Sequence, residues 1–63
     1  MSFASFKERI LGFAEATGAS VVFRHVDGKH IAELSDGTTI TGNTTARRVS
    51  VQWGSGHMAY AEL

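Results

Sequence analysis

The sequence predicts an α+β fold, in which an N-terminal α-helix packs on one face of a four- to five-stranded antiparallel β-meander. Two observations predict this fold. Apolar residues recur at helical spacing over residues 2–17, and from Val21 onward short β-branched and aromatic segments alternate with turns that contain glycine. The chain of 63 residues contains no proline, so no predicted strand is interrupted. We assign residues 1–63 to one domain because a chain of this length supports a single small core.

The helix is predicted over residues 2–17. Ser2 is a suitable N-cap, and Ser5 with Glu8 forms an alternative capping box one turn later. Gly18 stands where a C-terminal capping glycine is expected. A stripe on one side of the helix must be covered by the sheet, and its members are Phe3, Phe6, Ile10, Phe13, Ala14 and Thr17.

Two Asp-Gly pairs mark the first turns of the meander, which joins predicted strands over 21–26, 29–34 and 38–41. Each turn is either a two-residue loop or a type I turn with a glycine bulge, and the choice decides which way the neighbouring strand faces. We expect the two-residue loop at Asp27-Gly28 and the bulge at Asp36-Gly37. These choices direct one set of apolar side chains toward the helix, namely Val21, Phe23, Ala32, Leu34 and Ile40.

A turn at Gly42-Asn43 follows the third predicted strand. A three-residue loop over 54–56 then joins the last two strands. In this register Trp53 faces the helix, and we expect it in the core, where truncation to alanine would cost roughly 3–5 kcal/mol. Arg48 lies opposite Glu62 on the other face, where we expect an exposed ion pair worth at most about 1 kcal/mol.

Two glycine-containing stretches match nucleotide-binding loops in spacing only. Residues 54–59 fit G-x-G-x-x-A, but the residues that follow alternate like a strand, whereas a pyrophosphate needs a helix N-terminus there. Residues 37–44 fit the spacing of a phosphate-binding loop, but Asn43 replaces the lysine that contacts the phosphates. We therefore expect no cofactor.

Catalytic and metal-binding constellations are not expected either. Ser55 and His57 are close in sequence, but Ser55 lies at a loop tip without a cleft that excludes water. His25 and His30 are predicted cross-strand neighbours, and imidazoles are good ligands for zinc or nickel, but no third ligand accompanies them. The sequence thus predicts a protein that is not an enzyme, with no catalytic residue and no metal site.

The charge balance and the composition argue against proteins that bind nucleic acid or membranes through net charge, and against secreted proteins. Six Lys and Arg residues balance six Asp and Glu residues, so strong nonspecific attraction to nucleic acid or to an anionic membrane is not expected. The chain has no cysteine, and its first residues lack the basic region and unbroken apolar segment of a signal peptide. We expect a cytoplasmic protein with no membrane partner.

The outer face of the sheet, away from the helix, is the expected functional surface. It carries more apolar side chains than a solvated face needs, and an exposed apolar patch rimmed by charge is typical of a partner site. The predicted partner-binding residues are Val22, Arg24, Val26, Arg48, Gln52, Met58 and Tyr60. The primary hypothesis is a non-enzymatic protein-protein interaction or regulatory module with a protein partner of unknown identity.

A homodimer is also expected, because small chains without disulfides often need a partner for stability. Its contact is predicted at the outer sheet face, at the edge strands, or at the helix back face around Ser5, Gly12 and Ala16.

The alternative hypothesis is a small nucleic-acid-binding domain, in which the outer face presents Arg24, Arg48, Gln52 and Tyr60. As a short, cysteine-free α+β chain without a predicted catalytic site, the protein is like the accessory proteins that phages and other mobile elements encode. This analogy rests on those general features alone.

Overall fold

The computed structural model describes the whole chain, Met1–Leu63, as one helix followed by five strands. The elements are α1 (Phe3–Thr17), β1 (Val21–Val26), β2 (Lys29–Leu34), β3 (Thr39–Asn43), β4 (Arg48–Gln52) and β5 (Met58–Glu62). The strands form one antiparallel sheet in the order β1-β2-β3-β4-β5. This arrangement confirms the predicted α+β fold with a helix and a meander.

Both predicted helix caps are present, and Ser2 is the N-cap. The Ser2 hydroxyl oxygen accepts the Ser5 N–H at 3.1 Å, which satisfies one of the free donors of the first turn. At the other end Gly18 adopts a left-handed φ of 75°, and the Ala19 N–H donates to the Ala14 carbonyl at 2.9 Å. This Schellman arrangement ends the helix and turns the chain toward β1.

The two Asp-Gly turns have the predicted types. Asp27 and Gly28 both have positive φ, 50° and 75°, as a two-residue type I′ hairpin loop requires. In the second turn the Leu34 N–H donates to the Thr38 carbonyl at 2.8 Å, and Gly37 has a φ of 93°. That geometry is a three-residue loop with a glycine in the bulge position, and it directs Ile40 inward as expected.

Asp36 stabilises the second turn through Thr38. Its Oδ1 accepts the Thr38 N–H at 2.9 Å. Hydrogen bonds from the side chain and then the backbone of Thr38 hold the pKa of Asp36 below its usual value. The carboxylate is therefore most favourable to this turn in its ionised form.

The last hairpin also has the predicted register. The Trp53 N–H donates to the His57 carbonyl at 2.9 Å across the loop over 54–56, and Gly56 has a φ of 91°. Arg48 lies opposite Glu62. The G-x-G-x-x-A stretch is therefore the loop of a β-hairpin followed by a strand.

The turn between β3 and β4 lies later than predicted. Gly42 and Asn43 are the last residues of β3, and the connection begins at Thr44. The Asn43 side-chain oxygen accepts the backbone N–H groups of Thr45 at 3.0 Å and Ala46 at 2.9 Å. An asparagine that accepts from residues two and three positions ahead promotes a turn, so the sequence signal was correct and its position was wrong by two residues.

The core consists of seven buried apolar side chains on the facing surfaces of the helix and the sheet. They are Phe6, Ile10, Ala14, Ala32, Leu34, Ile40 and Val49. A Cβ placed on Gly42 would lie 3.3 Å from two Phe6 ring carbons and 3.1 Å from the Val49 Cγ1. The absence of a side chain at Gly42 therefore lets the Phe6 ring, which is fully buried, lie directly against β3.

The helix does not lie over the middle of the sheet. The backbone of α1 approaches β1 and β2, at one side of the five strands. A helix is roughly 10–12 Å wide with its side chains, whereas five strands span about 19 Å between the outermost strand axes. One helix therefore leaves the inner face of the last hairpin largely uncovered.

The expectation that Trp53 lies in the core is therefore wrong. Trp53 does face the helix side of the sheet, but 41% of its surface is exposed. Phe13, predicted on the covered stripe of the helix, is 48% exposed. Both side chains lie beside the uncovered inner face of the last hairpin. Because α1 lies over β1 and β2, it is too far from Trp53 to bury it.

Candidate functional site

The seven predicted partner-binding residues are all exposed, but their apolar members do not form one patch. Val22 and Val26 lie on β1, whereas Met58 and Tyr60 lie on β5, and these strands are the opposite edges of the sheet. Four strand spacings separate them, or about 19 Å. The strands between them carry mainly hydroxyl and charged side chains outward, so the outer face has two small apolar areas in place of one binding surface.

The charged groups of the outer face have different partners from those predicted. Arg24 forms a salt bridge with Glu33 of β2, and no other salt bridge is present. The Arg48 guanidinium carbon lies 4.7 Å from the centre of the Tyr60 ring, in a cation–π contact. The predicted Arg48–Glu62 ion pair is therefore wrong, although the two residues lie opposite each other as expected.

A shallow cleft on this face brings one unpredicted cation, Lys29, to Arg48 and Tyr60. Lys29 of β2 lines the cleft together with Asn43 and these two side chains. Gln52 and Arg24, also predicted for the outer face, do not line it. Lys29 was missed because β2 and β4 are brought together only by β3, which lies between them.

The inner face of the sheet contains an apolar groove of about 290 Å³ between α1 and the last hairpin. Its floor is formed by β4 and β5, and the helix forms one wall. Arg9 is the one lining residue that is not hydrophobic. The residues that shape the groove are Phe13, Val51, Trp53, Ala59, Ala61 and Leu63.

Small side chains on β5 keep this groove open. Ala59 and Ala61 were expected to make room for the helix phenylalanines inside a core. In the structure Ala59 is half-buried and Ala61 is exposed, so the space above them is unfilled. Phe13 and Trp53, two of the three aromatic residues that line the groove, both keep more than two-fifths of their surface accessible.

One end of the groove is cationic. Arg9 and Arg47 line a smaller cavity that shares Leu63 with the groove. Neither arginine has a carboxylate within salt-bridge distance, and both are exposed. The other end of the groove lies at the hairpin tip, where the Trp53 and His57 rings are in contact with centroids 5.4 Å apart.

The predicted histidine pair is part of the fold. His25 and His30 pair across the first hairpin with ring centroids 5.0 Å apart. His30 is fully buried, and its Nε2–H donates to the Met1 carbonyl at 3.0 Å. Phe3 stacks on both imidazole rings, and no third potential metal ligand joins the two histidines.

The burial of His30 was missed, although the register contains the signal for it. His30 alternates with Ala32 and Leu34 along β2, and all three are buried on the helix side. Its Nδ1 atom is buried without a hydrogen-bond partner. The imidazole thus fills a core position beside Phe3 and Phe6 and ties the N-terminal residue to the sheet.

The helix back face has no neighbour in the structure. No atom lies within 4 Å of a Cβ placed on Gly12. Two explanations for a glycine at position 12 remain, namely close approach of another backbone and simple exposure to water. They predict opposite effects of Gly12→Ala on stability.

Comparison with protein-family models, with curated proteins and with solved structures finds no match. In addition, α1 has neither the length nor the apolar character of a segment that crosses a membrane.

Proposed function

We propose that this protein is a non-enzymatic protein-binding module and that its binding site is the apolar groove beside α1. The observation that carries this proposal is the exposure of Phe13 and Trp53 along one concave, almost wholly apolar surface. Soluble proteins seldom leave such surfaces uncovered unless a partner covers them. The proposal keeps the function predicted from the sequence and moves its site from the outer face to the inner face.

The residue types in the groove support a protein partner. Aromatic residues dominate the binding energy of protein interfaces because they bury a large area with few rotatable bonds. The floor consists of alanine and valine side chains, which offer area and shape but no hydrogen-bond donors or acceptors. A surface of this kind gains affinity by removal of apolar area from water, at roughly 25 cal/mol per Å² before the costs of association.

Site-specific photo-crosslinking in the source cell tests this proposal. A photoreactive side chain at Phe13 is compared with one at Val22, which is even more exposed but lies on the outer face. We expect a discrete protein adduct from position 13 and none from position 22. The captured protein is then purified, and calorimetry is expected to show binding that Phe13→Ser weakens at least tenfold, or about 1.4 kcal/mol.

Two results would contradict the groove as the binding site. The first is an adduct that forms from position 22 and not from position 13, which would restore the outer face. The second is a purified partner whose affinity is unchanged by Phe13→Ser while circular dichroism confirms that the variant is folded.

Nucleic-acid binding on the outer face is a second candidate, and the shallow cleft supports it. Lys29 and Arg48 supply positive charge there, and Tyr60 supplies an aromatic ring of the kind on which single-stranded bases stack. Arg48→Ala is then expected to weaken binding and to lower the slope of log affinity against log salt by about 1. Arg24→Ala is the matched control, since Arg24 is paired with Glu33 outside the cleft.

The salt titration distinguishes the two candidates. For the protein-binding module, no micromolar binding to single- or double-stranded nucleic acid is expected near physiological salt. Binding that is lost in Arg48→Ala and kept in Arg24→Ala would favour the nucleic-acid function instead.

A further inference from the structure

We infer that the groove accepts an amphipathic α-helix of the partner, with acidic side chains at the end that meets Arg9 and Arg47. This inference rests on the proposed function and specifies the chemistry of the ligand. Three features of the groove support it: its width, its lack of backbone hydrogen-bonding groups in the floor, and the unpaired charge at one end.

The uncovered strip of the sheet has the width of one helix. Helices pack side by side at 8–10 Å between their axes, which is about two strand spacings. Because α1 lies against β1 and β2, the middle of β4 and β5 is about three strand spacings from it, or roughly 14 Å, which leaves room for a second helix there. Each of these strands has five residues, or about 17 Å, which corresponds to about 11 residues of helix.

The floor favours a helix over an extended or irregular peptide. The groove is lined by apolar side chains, β4 pairs with β3 and β5 through its backbone groups, and the free backbone groups of the edge strand β5 lie at its outer edge, in the plane of the sheet. An extended peptide lying on this floor would leave its own N–H and C=O groups unpaired against it, at a cost of about 1–3 kcal/mol for each fully buried group. A helix pairs these groups internally and presents only side chains to the groove.

The charge at the end of the groove specifies the sign of the ligand. Arg9 and Arg47 have no carboxylate partner, and a ligand seated over Leu63 comes close to both. A cationic or neutral ligand end would desolvate guanidinium groups without compensation, whereas carboxylates pair with them. Acidic residues are also favourable in the first turn of a helix because of the helix dipole.

The same charges argue against a second copy of this chain as the occupant. In a two-fold contact of groove against groove, each copy presents the lining of its own groove to its partner. Arg9 is the one residue of that lining that is not hydrophobic, so the two groove linings bring no acidic side chain to it. An isologous contact at this site lacks charge complementarity, and a different protein supplies it.

Peptide binding to the full-length protein tests the inference, with Trp53 as the reporter. Trp53 is the one tryptophan of the chain and lines the groove, so its emission reports occupancy by a tryptophan-free peptide. Three synthetic peptides share a helical leucine stripe: one with glutamates in its first turn, one with lysines in those positions, and one with the glutamates and a central proline. We expect the acidic peptide to shift Trp53 emission to the blue and to bind at least tenfold tighter than the basic one. The proline peptide is expected to lose this binding.

Charge reversal in the protein provides the matched control. Arg9→Glu combined with Arg47→Glu is expected to reverse the ranking of the acidic and basic peptides. Lys29→Glu changes an exposed cation on the outer face and is expected to leave that ranking unchanged. All three positions are exposed, so both variants are expected to remain folded, which circular dichroism confirms.

The possible failures separate this inference from the proposed function. Equal binding of acidic and basic peptides, with the blue shift, overturns the charge rule and leaves the groove as an apolar binding site. Tight binding of the proline peptide overturns the claim that the ligand binds as an α-helix. No blue shift with any of the three peptides overturns the helical ligand, while the crosslink from position 13 still decides the proposed function. A blue shift that depends on protein concentration alone, with a dimer in sedimentation, assigns the groove to a second copy and overturns the inference.

Discussion

The inner face of the sheet has two regions that look alike in sequence and differ in what covers them. On β2, the inward residues His30, Ala32 and Leu34 are all buried under the helix. On β5, the inward residues Ala59 and Ala61 alternate in the same way, yet neither is fully buried. The difference shows that alternation determines which way a side chain faces, and that the position of the helix determines whether anything covers it.

The covered and open regions are expected to divide stability and binding between them. Phe6 fills the covered region completely, and Phe13 borders the open one at nearly half exposure. These two phenylalanines lie on the same helix, two turns apart, and form a matched pair for separating the two roles.

Phe6→Ala is expected to have the largest effect on folding. Loss of a fully buried phenylalanine typically costs about 3–5 kcal/mol, which approaches the whole stability of a small domain. Phe13→Ala removes a half-exposed ring, and we expect it to cost less than about 1.5 kcal/mol. Urea unfolding followed by circular dichroism measures both. Equal losses of stability would mean that the helix covers both regions.

Gly42→Val is expected to destabilise the covered region by about 1–3 kcal/mol through overpacking. The added side chain would meet the Phe6 ring and the Val49 methyl group at distances below 3.4 Å, and Phe6 is fully buried and cannot move aside without disturbing the core. The measurement is again the free energy of unfolding in urea. A stability equal to or above that of the parent protein would show that the ring does not lie against β3.

Gly12→Ala tests the helix back face and is expected to stabilise the monomer by about 1 kcal/mol. The Cβ position at Gly12 has nothing within 4 Å, so the gain in helix propensity is not offset by a steric clash. Thermal melts at several protein concentrations measure the change. A loss of stability that grows with protein concentration would indicate instead that another copy approaches this face.

The smallest expected effect is the pH dependence that Asp36 contributes at the second turn. Hydrogen bonds from Thr38 lower the pKa of Asp36 in the folded state, so its stabilisation is fully present above the pKa of the unfolded carboxyl group. It is lost as the pH falls through the lowered folded-state pKa. Asp36→Asn, which keeps an acceptor for the Thr38 N–H, is expected to flatten the fall in melting temperature in acid. An identical acid profile in the two proteins would contradict the role of the carboxylate.

Local signals in the sequence predicted most of the backbone. Ser2 and Gly18 mark the helix ends because capping depends on residues within one turn. Asp27-Gly28 and Asp36-Gly37 specify different loops, and the facing of the apolar residues distinguished them correctly. The register of the last hairpin followed from its loop length, since a three-residue loop fixes which residues pair.

The candidate site was not predicted, because it depends on the lateral position of α1. Trp53 and Phe13 have the residue types and the facing of core residues, and local patterns contain no information on which strands the helix lies over. A comparison of widths could have given the signal, since one helix cannot cover five strands. The prediction of one apolar patch on the outer face was wrong for a similar reason. Val22 and Tyr60 share that face but lie at opposite edges of the sheet.

Acrylamide quenching of Trp53 fluorescence tests most directly the claim that the groove is open. The measurement compares dilute native protein with the same protein unfolded in urea. Because 41% of the Trp53 surface is exposed beside the uncovered hairpin, we predict substantial quenching in the native state, and protection when the acidic peptide is added. A native tryptophan that is shielded from acrylamide in dilute solution, with no partner present, would place Trp53 in a closed core and contradict the account.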